Sequence, residues 1–275
     1  MLTAFGLTGL RPVPLGSSWE GGWRCGEVVL SMVADNARAS WSAKVRETLF
    51  VDGVRLARPV RATDGRYVVA GWRADTFVTG TPEPRHDEIV SAAVRLHEAT
   101  AKLERPRFLT QPPAVPWSDV DVFIAADRAA WEDRPLHSLP PGAQAVPGTA
   151  DGRRSVELIN QLASLRKPTR NPSQLVHGDL YGTVLFAGTA APGITDITPY
   201  WRPASWAAGV VVVDALSWGE ADDGLIDRWD ALPEWPQMLL RALMFRLAVH
   251  ALHPRATASA FPGLARTAAL VRLAL

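Results

Sequence analysis

The stretch from Val176 to Phe186 contains residue types that do chemistry. It reads Val-His-Gly-Asp-Leu-Tyr-Gly-Thr-Val-Leu-Phe, and a later short apolar segment ends at Asp196. The pattern predicts two short strands joined by a turn, each with one carboxylate at its end. Phosphoryl transfer needs one carboxylate to orient the attacking hydroxyl and another to hold Mg²⁺ at the nucleotide phosphates. On His-Gly-Asp alone, the simpler interpretation is an ordinary turn, with Asp196 a solvated loop residue.

The longer pattern favours the chemical interpretation. The segment 176–203 resembles the catalytic segment of the aminoglycoside phosphotransferase and choline kinase group, small-molecule relatives of the protein kinases. The matching residues are the His-Gly-Asp of His177, Gly178 and Asp179, the apolar pair Leu185-Phe186, and the second Asp, Asp196. The run 199–203 also resembles an actinobacterial branch of that superfamily. The resemblance implies an α+β, two-lobed, protein-kinase-like fold with a small β-rich N-lobe and a larger, mainly helical C-lobe.

The same resemblance implies roles for these residues and for two cofactors. Asp179 would accept or orient the proton of the attacking hydroxyl, and Asp196 would bind Mg²⁺ that bridges the phosphates of ATP. His177 would hold the loop by hydrogen bonds rather than titrate in catalysis. The acceptor would be a small molecule that carries a hydroxyl or an amine. Asp214, in a strongly apolar run, is expected to support the catalytic loop, because a buried carboxylate needs partners.

Two positions depart from the group's pattern. Val184 stands where the group has an Asn that serves as a second metal ligand, and Ser31 stands on the strand where a Lys is expected. Lys44 and Glu47 are three residues apart on a predicted helix and are most simply a surface salt bridge. Because both missing groups neutralise charge, a second hypothesis is a catalytically impaired pseudokinase that serves as a binding or regulatory scaffold, with a protein partner.

Residues 1–79 are predicted to form the N-lobe, an antiparallel sheet with one helix. A strand over 28–33 follows a turn at 25–27, a helix covers 37–50, and a second strand covers 66–72. Ahead of the first strand lies a loop of small residues in which Gly21 and Gly22 would let backbone N–H groups approach phosphates. A flexible hairpin tip is an equally good interpretation of that loop. Trp72 is a candidate for stacking on the nucleotide.

Residues 80–275 are predicted to form the C-lobe. The expected helices cover 85–102, 156–165, 204–218, 236–250 and 263–275, and a shorter helix has Ser118 as its N-cap. A Pro/Gly-rich loop is expected over 136–152, and the two prolines of 199–203 predict a stiff, packed turn. Asp214 lies within the predicted helix 204–218.

Composition excludes several other classes. The chain has 275 residues and a formal net charge of +1, which gives no electrostatic reason to bind nucleic acid or a membrane. The single Cys25 excludes an intramolecular disulfide and a Cys-based zinc site. The sequence has no Gly-x-Ser-x-Gly, no dinucleotide-binding glycine loop and no signal peptide, and a cytoplasmic location is expected. A His-x-Asp metal site at 177–179 stays open as a minor alternative.

Overall fold

The computed structural model describes residues 1–111, 119–132 and 150–275. They form two compact units: one is Met1–Leu109 with Gln174–Arg202, and the other is Thr110–Ser173 with Pro203–Leu275. The lobe boundary expected between residues 79 and 80 stays a prediction. The predicted N-cap Ser118 and most of the predicted loop 136–152 lie outside the described residues. Residues 150–152, at the end of that loop, are helical instead.

The first unit is built on a five-stranded antiparallel sheet. The strands of this unit are β1 Val13–Pro14, β2 Trp23–Cys25, β3 Val28–Met32, β4 Arg55–Leu56, β5 Val68–Val69, β6 Trp72–Thr76, β7 Gln174–His177, β8 Gly193–Ile194 and β9 Pro199–Arg202, and its helices are α1 Asn36–Thr48 and α2 His86–Thr100. The sheet has the order β1-β2-β3-β6-β5. Two smaller pairs accompany it, β4 parallel to β8 and β7 antiparallel to β9.

Sequence patterns predicted β3, the turn before it and both helices of this unit. The predicted strand over 66–72 is wrong, because the chain turns at Ala70 and Gly71 and returns as β6. Both residues have positive φ, 49° and 76°, which is the geometry of a tight hairpin whose twist matches that of the strands. The turn was not predicted because it lies within an apolar run and lacks the usual Asn-Gly signal.

The two faces of the sheet have different neighbours. On β6, Trp72 and Ala74 face one apolar cluster, which includes Phe5, Leu7 and Leu30. Because side chains alternate along a strand, Arg73 and Asp75 point to the opposite face. β3 alternates in step with β6, since Ser31 is paired with Arg73 and Val29 with Asp75. One face of β6 is therefore apolar and the other carries two buried charges.

The segment with His177 is arranged differently from the two joined strands that the pattern predicted. β7 ends at His177 and pairs with β9, whereas β8, which leads to Asp196, pairs with β4. Leu185 and Phe186 form only single bridges, to Gly193 and Thr81. The prediction of a packed turn over 199–203 is wrong for residues 199–202, which form β9. Its proline is the first residue of the strand, a place where a missing N–H is tolerated.

The second unit is helical in its described residues, with α3 Asp119–Trp131, α4 Ala150–Ala163, α5 Ala204–Trp218, α6 Trp235–Leu252 and α7 Phe261–Leu273. The predictions of α4 to α7 are confirmed, although α4 begins earlier than predicted. None of the described helices combines the length and the apolar character that crossing a bilayer requires. α5 and α6 are buried over nearly all of their residues, so any charge on them needs an internal partner.

Asp214 on α5 has such a partner on α6. Its carboxylate accepts hydrogen bonds from Arg246 through Nε at 2.7 Å and Nη2 at 2.5 Å, and both side chains are buried. This fork-to-carboxylate geometry joins the two helices. A role for Asp214 in supporting the catalytic loop stays a prediction.

We expect Asp214→Ala to lower the free energy of unfolding by about 3–5 kcal/mol, because it leaves the Arg246 guanidinium buried without its carboxylate. Asp214→Leu combined with Arg246→Met should regain most of that loss. Urea unfolding would measure both. The control is Asp222→Ala, which removes an exposed ion pair with Arg228 and should change stability little. Equal stability of the Asp214→Ala and Asp222→Ala variants would contradict the expectation.

Candidate functional site

His177 is fixed at the end of β7 by α2. The backbone N–H of His177 donates to Nε2 of His97 on α2 at 3.0 Å. One turn further along α2, the Thr100 hydroxyl donates to the carbonyl of Leu175 at 2.8 Å, and the Gln174 amide donates to the carbonyl of His97 at 2.6 Å. These bonds attach α2 to the strand that carries the His-Gly-Asp turn.

The imidazole of His177 fixes the backbone of Asp179. Its Nδ1 accepts the backbone N–H of Asp179 at 3.1 Å. Because Nδ1 is an acceptor, the proton of the neutral ring lies on Nε2, which is the available donor. The carboxylates of Asp179 and Asp196 both lie near enough to the ring to favour its protonated form.

Gly178 is required by the packing of this turn. Its N–H donates to the carbonyl of Thr198 at 3.1 Å, which brings the backbone against the ring of Tyr200 on β9. A Cβ at position 178 would lie 2.4 Å from Cδ2 of that ring. The site therefore accommodates only a residue without a side chain here.

Burial keeps both histidines neutral. Desolvation, together with the nearby His177, lowers the pKa of His97 to about 3. Desolvation also lowers the pKa of His177 to about 4, against the opposing effect of Asp179 and Asp196. At neutral pH both rings act as hydrogen-bonding groups and neither is poised to transfer a proton.

The carboxylate of Asp196 is surrounded by donors. Oδ1 accepts from the Ser42 hydroxyl at 2.5 Å and from the Ile197 N–H at 2.7 Å, and Nε of Arg46 lies 3.5 Å from it. Oδ2 accepts from Nη1 of Arg73. Burial opposes ionisation, but the two guanidiniums and the hydroxyl prevail and hold the pKa of Asp196 below its usual range.

The two arginines share a second carboxylate, Asp75. Its Oδ1 lies 2.8 Å from Nη1 of Arg46, and its Oδ2 lies 3.3 Å from Nε of Arg73. Burial raises the pKa of Asp75 in spite of both cations. Burial lowers the pKa of Arg73, but Asp196, Asp75 and Glu20 outweigh it and raise the pKa above the ordinary value. We call Ser42, Arg46, Arg73, Asp75 and Asp196 the arginine–aspartate network.

Local structure explains how the network is assembled. The Asp35 carboxylate caps α1 by accepting the N–H groups of Ala37 and Arg38, at 2.8 and 3.1 Å. Ser42 and Arg46 are one turn apart on this helix and therefore share a face. Arg73 and Asp75 share the polar face of β6. Each pair is set by the period of its own element.

The loop with Gly21 and Gly22 is a closed structure. The N–H groups of Trp19, Glu20, Gly21 and Gly22 all donate to carbonyls of residues 16–19. In this arrangement they are not available to cradle a phosphate. The Thr195 hydroxyl donates to the carbonyl of Ser18 at 3.2 Å. The loop therefore lies beside the residue that precedes Asp196.

The loop contributes a side chain instead, that of Glu20. Its Oε2 accepts from Nη2 of Arg73 at 3.1 Å, although the side chain is 58% exposed. Glu20 also has a left-handed backbone with φ of 53°, an uncommon conformation for a residue with a Cβ. A carboxylate in a strained loop thus reaches the network from outside.

The remaining predicted residues fall in several places. Ser31 is buried on β3, directly opposite Arg73, so it lies at the network. Val184 is buried and offers no oxygen from its side chain. Trp72 packs on the apolar face of the sheet, away from Arg73. Glu47 pairs with Arg61 at 2.9 Å, so the predicted salt bridge with Lys44 is wrong.

The residues near Asp196 do not fit Mg²⁺ as they are arranged. Mg²⁺ requires oxygen ligands, whereas both oxygens of Asp196 already accept hydrogen bonds, one of them from a guanidinium. In the part of the chain that the structure describes, no group of three or more His, Cys, Asp or Glu side chains is placed to hold a metal ion. A metal ion here would have to displace Arg73.

Arg46, Arg73 and Asp75 of the network were not predicted from the sequence. A usable signal was present, because Trp-Arg-Ala-Asp-Thr places two charges two residues apart in a strand, which puts both on one face. Their partner Asp196 is 123 residues from Arg73 in the sequence. The local pattern therefore indicates a buried charge cluster without revealing its other half.

No protein-family model and no curated protein sequence matches this chain. Solved structures do. A thermostable mutant of the aminoglycoside phosphotransferase APH(4)-Ia, in a ternary complex with AMP-PNP and hygromycin B, is 13% identical, covers 96% of this chain and 94% of its own, and has a TM-score of 0.56. A choline/ethanolamine kinase family protein from Mesorhizobium loti is 18% identical, covers 96% and 89%, and has a TM-score of 0.51.

An aminoglycoside phosphotransferase from Alicyclobacillus acidocaldarius is 14% identical, with 97% of this chain and 90% of that chain covered and a TM-score of 0.50. At these identities the likeness shows the fold. The chain has the two-lobed, protein-kinase-like α+β fold of the small-molecule phosphotransferases, which confirms the fold expected from the resemblance.

We expect Gly178→Ala to lower the free energy of unfolding by about 1–3 kcal/mol, because the added methyl group collides with the Tyr200 ring. Gly16→Ala is the matched control, since Gly16 has an ordinary φ of −78° and a Cβ there would meet no atom within 4 Å. Thermal or urea unfolding measures both variants. If the two are equally stable, the close approach of Tyr200 is not a constraint.

We also expect the free energy of unfolding to fall as the pH is lowered through a defined window. In the unfolded chain both histidines take up protons below pH 6.5. In the folded chain His97 and His177 stay neutral until the pH approaches their lowered pKa values of about 3 and about 4. The free energy of unfolding should therefore drop by roughly 3 kcal/mol between pH 6.5 and pH 5. His97→Gln, whose amide oxygen can accept the His177 N–H, should show about half that drop in urea unfolding. A flat profile in wild type would contradict the assignment.

Proposed function

We propose that this protein is an ATP-dependent phosphotransferase that acts on a small molecule with a hydroxyl or an amine. The observation that carries the proposal is the turn at His177, whose ring accepts the backbone N–H of Asp179 and lies near the carboxylate of Asp196. Phosphoryl transfer depends on positioning and electrostatics rather than on covalent chemistry by the protein, so a rigid frame for carboxylates suits it.

In this proposal Asp179 orients the attacking hydroxyl or amine and accepts its proton. The Thr183 hydroxyl donates to the carbonyls of Asp179 and Leu180, both at 3.0 Å, which fixes the backbone after the turn. His177 positions Asp179 and stays neutral through the reaction, because its lowered pKa keeps it unprotonated at neutral pH. Gly178 permits the close packing that this geometry needs.

The phosphoryl donor is proposed to be ATP. Two of the APH(4)-Ia mutants that resemble this chain in fold were solved in ternary complexes, one with AMP-PNP and hygromycin B and one with ADP and hygromycin B. Mg²⁺ was expected from the resemblance. We give it no role here, because the donors around Asp196 leave no oxygen of that carboxylate free of a hydrogen bond.

The second function predicted from the sequence, a non-catalytic binding or regulatory scaffold, rests on Ser31 and Val184. Val184 is buried among apolar residues and cannot replace the missing Asn. The same experiment separates the two functions, since a scaffold that binds nucleotide would not turn it over.

We expect ATP or GTP at millimolar concentration to raise the melting temperature of the wild-type protein, and an acceptor panel of amino sugars, amino alcohols and sugars to elicit ADP or GDP release. Asp179→Asn should lower that release about 10²- to 10⁴-fold while the nucleotide-induced rise persists, because it removes only the proton acceptor. The control Asp227→Asn changes an exposed residue of the second unit. It should leave both the nucleotide release and the nucleotide-induced rise in melting temperature unchanged.

Two results would count against this function. No melting-temperature shift with either nucleotide would exclude nucleotide binding. Full activity of Asp179→Asn would exclude Asp179 from the reaction. A nucleotide-induced shift without release on any acceptor would favour the scaffold.

A further inference from the structure

Arg73 is the charged group of the network that meets the loop around Gly21 and Gly22. Its three guanidinium nitrogens face three carboxylates: Nη1 faces Asp196, Nε faces Asp75 and Nη2 faces Glu20. Two of those carboxylates are buried or nearly so, with side chains 3% and 19% exposed, whereas that of Glu20 is 58% exposed. Only the contact with Glu20 can be exchanged without burying an unpaired charge.

The two aspartates would stay neutralised if Glu20 left. Asp196 keeps Ser42, Ile197 and Arg46 as neighbours in addition to Arg73. Asp75 keeps Arg46 at 2.8 Å. With Glu20 present the cluster contains three carboxylates and two guanidiniums. Exchange of Glu20 for another anion therefore needs no other ion pair to break.

The backbone of the loop cannot be the primary phosphate-binding group as it stands, because its N–H groups donate within the loop. The position opposite Arg73 on β3 is Ser31, which carries no charge. Arg73 on β6 is thus a cation that faces this loop, and it is paired with two largely buried aspartates and with the more exposed Glu20. A guanidinium edge matched to an oxyanion is a geometry that suits phosphate as well as carboxylate.

Resting on the proposed function, we infer that Arg73 is the phosphate-binding group of this site and that Glu20 occupies its Nη2 edge when no ligand is bound. An oligophosphate binds by displacing the Glu20 carboxylate, and Mg²⁺ is not required for that step. The strained φ of Glu20 is consistent with a contact that forms at a conformational cost and is given up on binding.

The experiment is calorimetric titration of the full chain with two probes, inorganic tripolyphosphate and ATP, each in EDTA and in Mg²⁺. Wild type should bind in EDTA. Glu20→Gln removes the charge that competes for Arg73, so this variant should bind the probes about tenfold more tightly than wild type. A tenfold change is what the loss of one charge-assisted hydrogen bond between Arg73 and its competitor implies. The control Glu27→Gln removes an exposed glutamate that pairs with Arg24 on the neighbouring hairpin, and should bind as wild type does.

Arg73→Lys keeps the charge that the aspartates need but loses the planar fork, so it should fold and bind at least about tenfold more weakly. In the double variant with Glu20→Gln, the gain from the Gln should disappear, because both effects pass through one guanidinium. Independent, additive effects of the two substitutions would overturn the inference.

The outcomes separate this inference from the proposed function. Binding that requires Mg²⁺ and does not respond to Glu20→Gln overturns the inference and leaves a phosphotransferase. Binding of tripolyphosphate but not of ATP supports the inference and overturns the ATP-dependent function. Absence of binding by every variant to both probes overturns both.

Discussion

The structure of the first unit depends on how the largely buried carboxylate of Asp196 is neutralised. An ionised carboxylate removed from water is costly unless charges and hydrogen bonds compensate it. Here the compensation comes from a helix, through Ser42 and Arg46, and from the central sheet, through Arg73. Asp75 then neutralises what would be an excess of positive charge between them. α1, β6 and the strand end at Asp196 are consequently fixed by one set of ion pairs.

A second constraint, built from neutral groups, holds the His-Gly-Asp turn. His97 accepts from the backbone of His177, and His177 in turn accepts from the backbone of Asp179. Both rings are buried, and both must be uncharged for these bonds to form. The turn is therefore positioned by groups that do not titrate near neutral pH, whereas Asp196 is positioned by charges. The two carboxylates of the pattern are held by different physical means.

The sequence was most informative where a pattern is local. Helical spacing and apolar runs predicted α1, α2 and most helices of the second unit. The His-Gly-Asp motif predicted the turn and, by resemblance, the fold. It was least informative where pairing is remote. The prolines at 199 and 203 predict a turn where β9 lies, and only the pairing with β7 makes this segment a strand. The hairpin at Ala70-Gly71 was missed because neither residue gave the usual turn signal. Arg73 and Asp196 are linked across 123 residues, and no local pattern contains that link.

The absence of a Lys at position 31, one of the two departures from the pattern of the phosphotransferase group, has a physical basis in the network. Ser31 lies directly opposite Arg73, and residues so placed in antiparallel strands are about 5 Å apart at Cβ. A Lys at position 31 would put a second cation beside that guanidinium, and like charges in that position repel. Space is also limited, because a Cβ on Gly22 would lie only 2.6 Å from the Ser31 hydroxyl. The absence of a Lys on β3 is therefore a consequence of the presence of an Arg on β6. The first unit keeps a positive charge, but Arg73 on the neighbouring strand β6 carries it. That charge is paired with Asp196, the carboxylate that was expected to bind a metal.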